Sequence, residues 1–276
     1  MAQQGTIKAE DLLTADGVRL NLLRARPADR APQSNFVVML IPGWCMPATI
    51  WRETMRALAP MHEVIAIDPR GQGDSDIPER GYNIDQRADD LAQCIARTID
   101  PTAKVVMVGW SLGALEALHY VQRHGETRLN GLVLVDSSVG EEPAIPAAQG
   151  FRDDLNADRR GTMQRFVRAM FRSPRPEAEI ADLTERALRL PLEASLALFP
   201  RDLPREHWRG IARSLRAPLL YAVTPQFAAQ AENLRRARPA TRIEIFAYAG
   251  HAIFVDEPAN FNHLLADFLE RLKAAL

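Results

Sequence analysis

Apolar residues along this chain fall into short unbroken runs, and the stretches between them carry apolar residues at helical spacing. Phe36-Val37-Val38-Met39-Leu40-Ile41 is the first run. Val64-Ile65-Ala66-Ile67, Val105-Val106-Met107-Val108, Leu132-Val133-Leu134-Val135, Leu219-Leu220-Tyr221-Ala222-Val223 and Ile243-Glu244-Ile245-Phe246 follow. Continuous runs of this kind suit strands buried on both faces. Residues 84–99 present Ala88, Leu91, Ala92, Ile95 and Ile99 on one helical stripe, and residues 259–275 present Phe261, Leu264, Leu265, Phe268 and Leu272 on another. Near the start, Ala15-Asp16-Gly17 predicts a hairpin turn leading into a strand over residues 18–23. Strand–helix alternation predicts an α/β fold with a mostly parallel central sheet flanked by helices on both sides.

The alternation breaks over residues 139–215. Met163, Phe166, Val167, Met170 and Phe171 form one apolar stripe there; Ile180, Leu183, Ala187 and Leu190 form another. Pro174, Pro176, Pro191, Pro200 and Pro204 punctuate them. The expected organisation is a core of residues 1–138 and 216–276 with an inserted helical lid, 139–215, over the strand ends. A chain of 276 residues is long enough for one such domain.

Charge and composition narrow the function. A net charge of −1 gives no reason to expect nucleic acid or an anionic membrane as a partner. Lysine occurs only at Lys8, Lys104 and Lys273, so arginine supplies nearly all the cations, and no function follows from that. Cys45 and Cys94 match neither metal-site nor redox spacing. Cys94 lies on the apolar side of the 84–99 helix, and Cys45 is read as a buried filler beside the site described below. No cluster of metal ligands and no glycine-rich phosphate loop is present, so neither metal nor cofactor is expected. The first residues lack the apolar stretch of a signal peptide and no run is long enough to cross a bilayer, so a soluble cytoplasmic protein is expected.

Gly109-Trp110-Ser111-Leu112-Gly113 carries the chemistry. It follows the Val105–Val108 run and opens a helical stretch that begins Ala114-Leu115-Glu116. A strand, Gly-x-Ser-x-Gly and a helix place a serine hydroxyl at the tip of a sharp turn, with free helix N–H groups beneath it. The serine needs a base. Among the six histidines, His251 follows the last strand at the sheet end where ligands bind in such folds. His62 precedes a strand and belongs at the opposite end. His119, His124 and His263 sit on helices, and His207 falls in the insertion.

These features resemble the α/β-hydrolase family, in the neighbourhood of lidded esterases, proline iminopeptidases and cofactor-free haloperoxidases. Asp68-Pro69-Arg70-Gly71-Gln72-Gly73-Asp74-Ser75 resembles the family's D-x-R-G-x-G-x-S turn, in which Asp68, Arg70 and Asp74 are structural. Leu40-Ile41-Pro42-Gly43-Trp44 resembles the loop that carries an oxyanion donor, and Gly250-His251 followed by Asp256-Glu257-Pro258 resembles the terminal histidine segment. The resemblance implies Trp44 N–H and Leu112 N–H as the oxyanion donors. Pro42 stands where relatives often carry a histidine that braces this loop. Many relatives place the triad acid after the strand following the lid. Here that loop, Val223-Thr224-Pro225-Gln226-Phe227-Ala228-Ala229-Gln230, holds no carboxylate, and Glu232 comes next, inside a helix. Other relatives place the acid one strand earlier, which points to Asp136 in Leu134-Val135-Asp136-Ser137-Ser138.

The expected function is a serine carboxylic ester hydrolase with a Ser111–His251–Asp136 triad, acting through an acyl-enzyme on a small to medium apolar acyl or aromatic ester. Perhydrolase, lactonase, amidase and carbon–carbon hydrolase chemistry use the same groups. The bare 224–230 loop also leaves open a low-turnover ligand-binding protein on this fold.

Overall fold

The computed structural model describes residues 6–27, 36–145, 150–200 and 202–274. Among the described residues eight strands build one sheet: β1 (Lys8–Leu13), β2 (Arg19–Ala25), β3 (Phe36–Ile41), β4 (Glu63–Ile67), β5 (Lys104–Trp110), β6 (Leu129–Val135), β7 (Leu219–Val223) and β8 (Arg242–Ile245). Their order is β1-β2-β4-β3-β5-β6-β7-β8. The β1–β2 hairpin and the β2–β4 pair are antiparallel, and every other pair is parallel. The helices are α1 (Arg52–Leu58), α2 (Ile84–Thr98), α3 (Leu112–His124), α4 (Phe151–Ala157), α5 (Arg159–Ala169), α6 (Glu177–Leu188), α7 (Leu192–Ala197), α8 (Arg205–Ser214), α9 (Ala228–Ala237), α10 (Ile253–Asp256) and α11 (Pro258–Ala274). None is long and apolar enough to cross a membrane.

The unbroken apolar runs are explained by two separate cores. On one face Val38, Leu40, Val106, Val108, Val133 and Val135 meet α1, α11 and the inserted helices. On the other, Val37, Met39, Ile41, Val105, Met107, Leu132 and Leu134 meet α2, α3, α8 and α9. Alternate residues of one strand therefore serve opposite layers.

The segment 139–215 departs from a uniform helical lid in two ways. Residues 139–145 form an irregular stretch tied to α9, because the buried Gln230 side chain accepts from Val139 N (3.2 Å) and donates to Pro143 O (2.9 Å). Helix α8 joins the flanking layer, since Trp208, Ile211 and Ala212 lie in the same core as Ala117 and Tyr120 of α3. Helices α4–α7 remain on the site side. There Met163, Val167, Met170, Ile180, Leu183, Ala187 and Leu190 are all buried, and Phe166 and Phe171 pack against them.

Candidate active site

Register brings the candidate residues to one end of the sheet. Ile41 pairs with Gly109 and Trp110 pairs with Val135, so the loop after β3, Ser111 and Asp136 leave adjacent strands side by side. Ser111 sits at φ 55°, ψ −118° between β5 and α3. Such a left-handed backbone is costly for a non-glycine residue and persists only where its surroundings enforce it. The flanking glycines make the turn possible: a Cβ on Gly109 would lie 2.3 Å from Gly113 O, and one on Gly113 would lie 2.6 Å from both Ile41 O and Pro42 O.

Asp136, also left-handed at φ 44°, is 1% exposed. Its Oδ1 accepts from Thr224 N at 2.7 Å and its Oδ2 lies 2.8 Å from His251 Nδ1. The loop without a carboxylate thus contributes a backbone donor that orients the carboxylate of the neighbouring strand. An imidazole bonded through Nδ1 to a buried carboxylate presents Nε2 as its free basic nitrogen. Glu232 lies away on α9, paired with Arg235 at 2.8 Å. Burial, followed by the charges of Asp136 and Glu141, pushes the Tyr221 phenol well above its usual range, so it stays protonated and donates to Ser137 O.

The His251 segment is held from both sides. Trp110, the residue before Ser111, donates from Nε1 to His251 O at 2.8 Å, and its ring lies 5.2 Å from the imidazole. Phe254 stacks on Trp51 at 3.7 Å behind it. Asp256 accepts from Gly250 N (2.7 Å), Arg172 N (2.8 Å), Ser173 N (3.0 Å) and the Ser173 hydroxyl. Burial alone would raise the Asp256 carboxyl, but these donors outweigh it and hold it below the usual range. Ala252 N donates to Met170 O at 2.9 Å. The end of α5 and the histidine loop are therefore one hydrogen-bonded unit.

Gly43 lies against the serine, for a Cβ there would stand 3.3 Å from Ser111 Cβ. Trp44 follows. Among the described residues neither Trp44 N–H nor Leu112 N–H meets an acceptor. The Trp44 side chain points into the insertion: Nε1 donates to Ser195 O at 2.6 Å, and the ring meets Phe151, Phe166 and Phe199 at 5.0–5.7 Å between centroids. Burial pushes the Cys45 thiol far up, so it is a protonated packing group. Among the described residues no group of three or more His, Cys, Asp or Glu is placed to hold a metal ion.

The 68–75 turn is structural. Asp68 accepts from Asn21 Nδ2 (2.7 Å), Ala48 N (2.5 Å) and Asp74 N (2.9 Å), and Arg70 grips Asp90 through two bonds of 2.6 and 2.7 Å. Sequence reasoning missed Trp110, Thr224 and Asp256 as supports. Trp110 carried a signal in its place inside the Gly-x-Ser-x-Gly motif, and Asp256 in its place in the terminal histidine segment; Thr224 carried none.

A profile for the alpha/beta hydrolase fold matches residues 37–258. The chain belongs to the α/β-hydrolase family. A pimeloyl-[acyl-carrier protein] methyl ester esterase of Vibrio vulnificus is 26% identical over 84% of this chain and 93% of its own length. The polyketide synthase ThaQ of Burkholderia thailandensis is 32% identical over 98% of this chain, which spans only 13% of that protein. Among solved structures, an esterase from Exiguobacterium antarcticum superposes with a TM-score of 0.82 at 20% identity, covering 95% of this chain and 100% of that one.

Proposed function

We propose that the protein hydrolyses carboxylic esters through an acyl-enzyme on Ser111. The 2.8 Å contact between His251 Nδ1 and Asp136 Oδ2, beside a serine held at φ 55°, carries this reading. Ser111 Oγ attacks the ester carbonyl while His251 Nε2 takes its proton. Trp44 N–H and Leu112 N–H receive the oxyanion. Collapse breaks the C–O bond, and His251 returns the proton to the leaving alkoxide, which departs as the alcohol. Water then attacks the acyl-enzyme with His251 again as base, releasing the acid and restoring the serine. Asp136 holds the imidazole tautomer throughout.

The Trp44, Phe151, Phe166 and Phe199 cluster favours a small to medium apolar acyl or aromatic group. The names of the Vibrio relatives support a more specific form of the same reaction, a methyl ester on an acyl chain tethered to a carrier protein. A panel of p-nitrophenyl acyl esters, a carrier-tethered acyl methyl ester, lactones and amides tests both, with a fluorophosphonate as the label for a live serine. Turnover of esters and labelling of Ser111 are expected. No turnover of any ester, or undiminished labelling of Ser111→Ala, overturns the proposal. A single burst without turnover would instead mark a ligand-capturing protein.

A further inference from the structure

Among the described residues, the loop that carries Trp44 is closed from within by a single backbone hydrogen bond. Pro42 offers no donor, and Cys45 stands at φ 58°, a conformation that does not sustain itself in a non-glycine residue. That bond, Met46 N to Gly43 O at 3.1 Å, closes the turn. The buried Gln72 side chain enters from the neighbouring 68–75 turn. Its Nε2 donates to Gly43 O at 3.0 Å and to Met46 O at 2.8 Å. Both amide hydrogens are thus spent on the two ends of the loop. The carboxamide cannot be reversed, because Arg87 Nη2 lies 3.1 Å from Oε1 and a guanidinium only donates. Arg87 is itself fixed by Arg70 O at 3.2 Å and by Glu116 Oε1 at 2.8 Å. Glu116 lies on α3, the helix that begins at the nucleophile. Gln72, Arg87 and Glu116 are each 1–2% exposed.

We propose that Gln72 is the positioning residue of the oxyanion loop, aiming Trp44 N–H toward the carbonyl oxygen of the group attacked by Ser111. The inference rests on the ester-hydrolase reading above. The physical link is the peptide plane: Gly43 C=O and Trp44 N–H belong to one planar trans unit and point in opposite directions. A donor that fixes the carbonyl fixes the N–H, and polarising the carbonyl strengthens that N–H as a donor. The chain Glu116–Arg87–Gln72 therefore references the loop to the same helix whose first N–H, that of Leu112, is the second oxyanion donor. Gln72 itself touches no substrate.

Gln72→Met keeps the length and loses both donors, and Gln72→Glu keeps the acceptor for Arg87 while setting a carboxylate against two carbonyls. In both, kcat should fall about 10–100-fold, short of the 10²–10³ that follows loss of a donor itself. KM should stay within about threefold, because the loop acts on charge that develops only in the transition state. Affinity for an alkyl boronic acid, which forms a tetrahedral adduct on the serine, should fall by the same factor as kcat. Amide hydrogen exchange across residues 42–47 should quicken while β5 stays protected. Asn21→Ala weakens the same turn through Asp68 without touching Gln72 and should leave kcat unchanged. The inference is overturned if both Gln72 variants keep kcat within twofold, or if Asn21→Ala loses kcat equally. Should wild-type Ser111 resist the fluorophosphonate, the hydrolase reading fails, and the exchange data alone decide the brace: unchanged exchange at 42–47 in Gln72→Met refutes it.

Discussion

At the scale of single residues, Asp136 has two tasks that one substitution separates. Its Oδ1 holds Thr224 N and its Oδ2 holds His251 Nδ1. In Asp136→Asn one of these positions becomes an NH2 group, which meets either the Thr224 donor or the imidazole N–H. The structure tolerates the first only with a lost bond. The second forces the imidazole to turn its Nδ1 into an acceptor and its Nε2 into a donor, the wrong tautomer for a base. A loss on the order of 10⁴ in kcat is expected, as in the serine-protease triad. Glu232→Gln removes one exposed pair with Arg235, of little energetic consequence, and should leave kcat unchanged. Steady-state kinetics on an activated ester compares the two, and near-normal activity of Asp136→Asn would remove Asp136 from the mechanism. Ser111→Ala should lose roughly six orders of magnitude in kcat if the enzyme is efficient.

At the scale of elements, the insertion and the histidine loop behave as one piece. A Cβ on Gly250 would stand 2.8 Å from both Arg172 N and Met170 O, and 3.0 Å from Asp256 Oδ2. Two of the three are backbone atoms, so the loop or the end of α5 must move. Gly250→Ala should therefore lower kcat up to about 100-fold, the cost of roughly an ångström of misplacement, with the fold retained. Unaltered kcat and labelling rate would show that the unit is looser than its hydrogen bonds imply. This coupling was not legible in the sequence, because Asp256 and Ser173 are far apart along the chain and neither belongs to a periodic pattern. What was legible depended on repetition or on local stereochemistry. The strands showed as apolar runs, α2 and α11 as stripes, and the serine turn as glycines that only a tight backbone requires. Asp136 is indicated through the family resemblance, which allows an acid at that strand end, whereas its partner Thr224 N is not, since a backbone donor leaves no trace in residue type. The 139–215 segment reads as one lid because it holds no strand-like run and lies between two strands of the sheet. Which layer a stripe buries against is decided by Trp208 meeting α3, a tertiary fact.

At the scale of the whole molecule, pH acts on stability through buried groups of opposite sign. His62 lies 2% exposed at the foot of β4, with its ring stacked on Phe36 at 5.4 Å. Among the described residues its Nδ1 meets no hydrogen-bond partner. Burial lowers its pKa from 6.5, with Glu270 partly opposing. The folded state thus refuses a proton that the unfolded chain accepts, so stability is full above 6.5 and is lost as pH falls below it. His207 has the same sign, lowered by burial and then by His119. Glu116 runs the other way: burial pushes it from 4.5 up to about 7 against the pull of Arg87, so acid down to 4.5 favours the folded state through this group. The net slope of Tm between pH 7 and 5.5 is a sum of these contributions and identifies none of them. The difference between wild type and His62→Gln isolates one, because glutamine does not titrate. Replacing the stacked ring should lower Tm at pH 7. The further drop on going to pH 5.5 should nevertheless be smaller in His62→Gln than in wild type. Equal drops in the two proteins, measured by circular dichroism in matched buffers, would mean that His62 gains a proton in the fold as readily as in the unfolded chain.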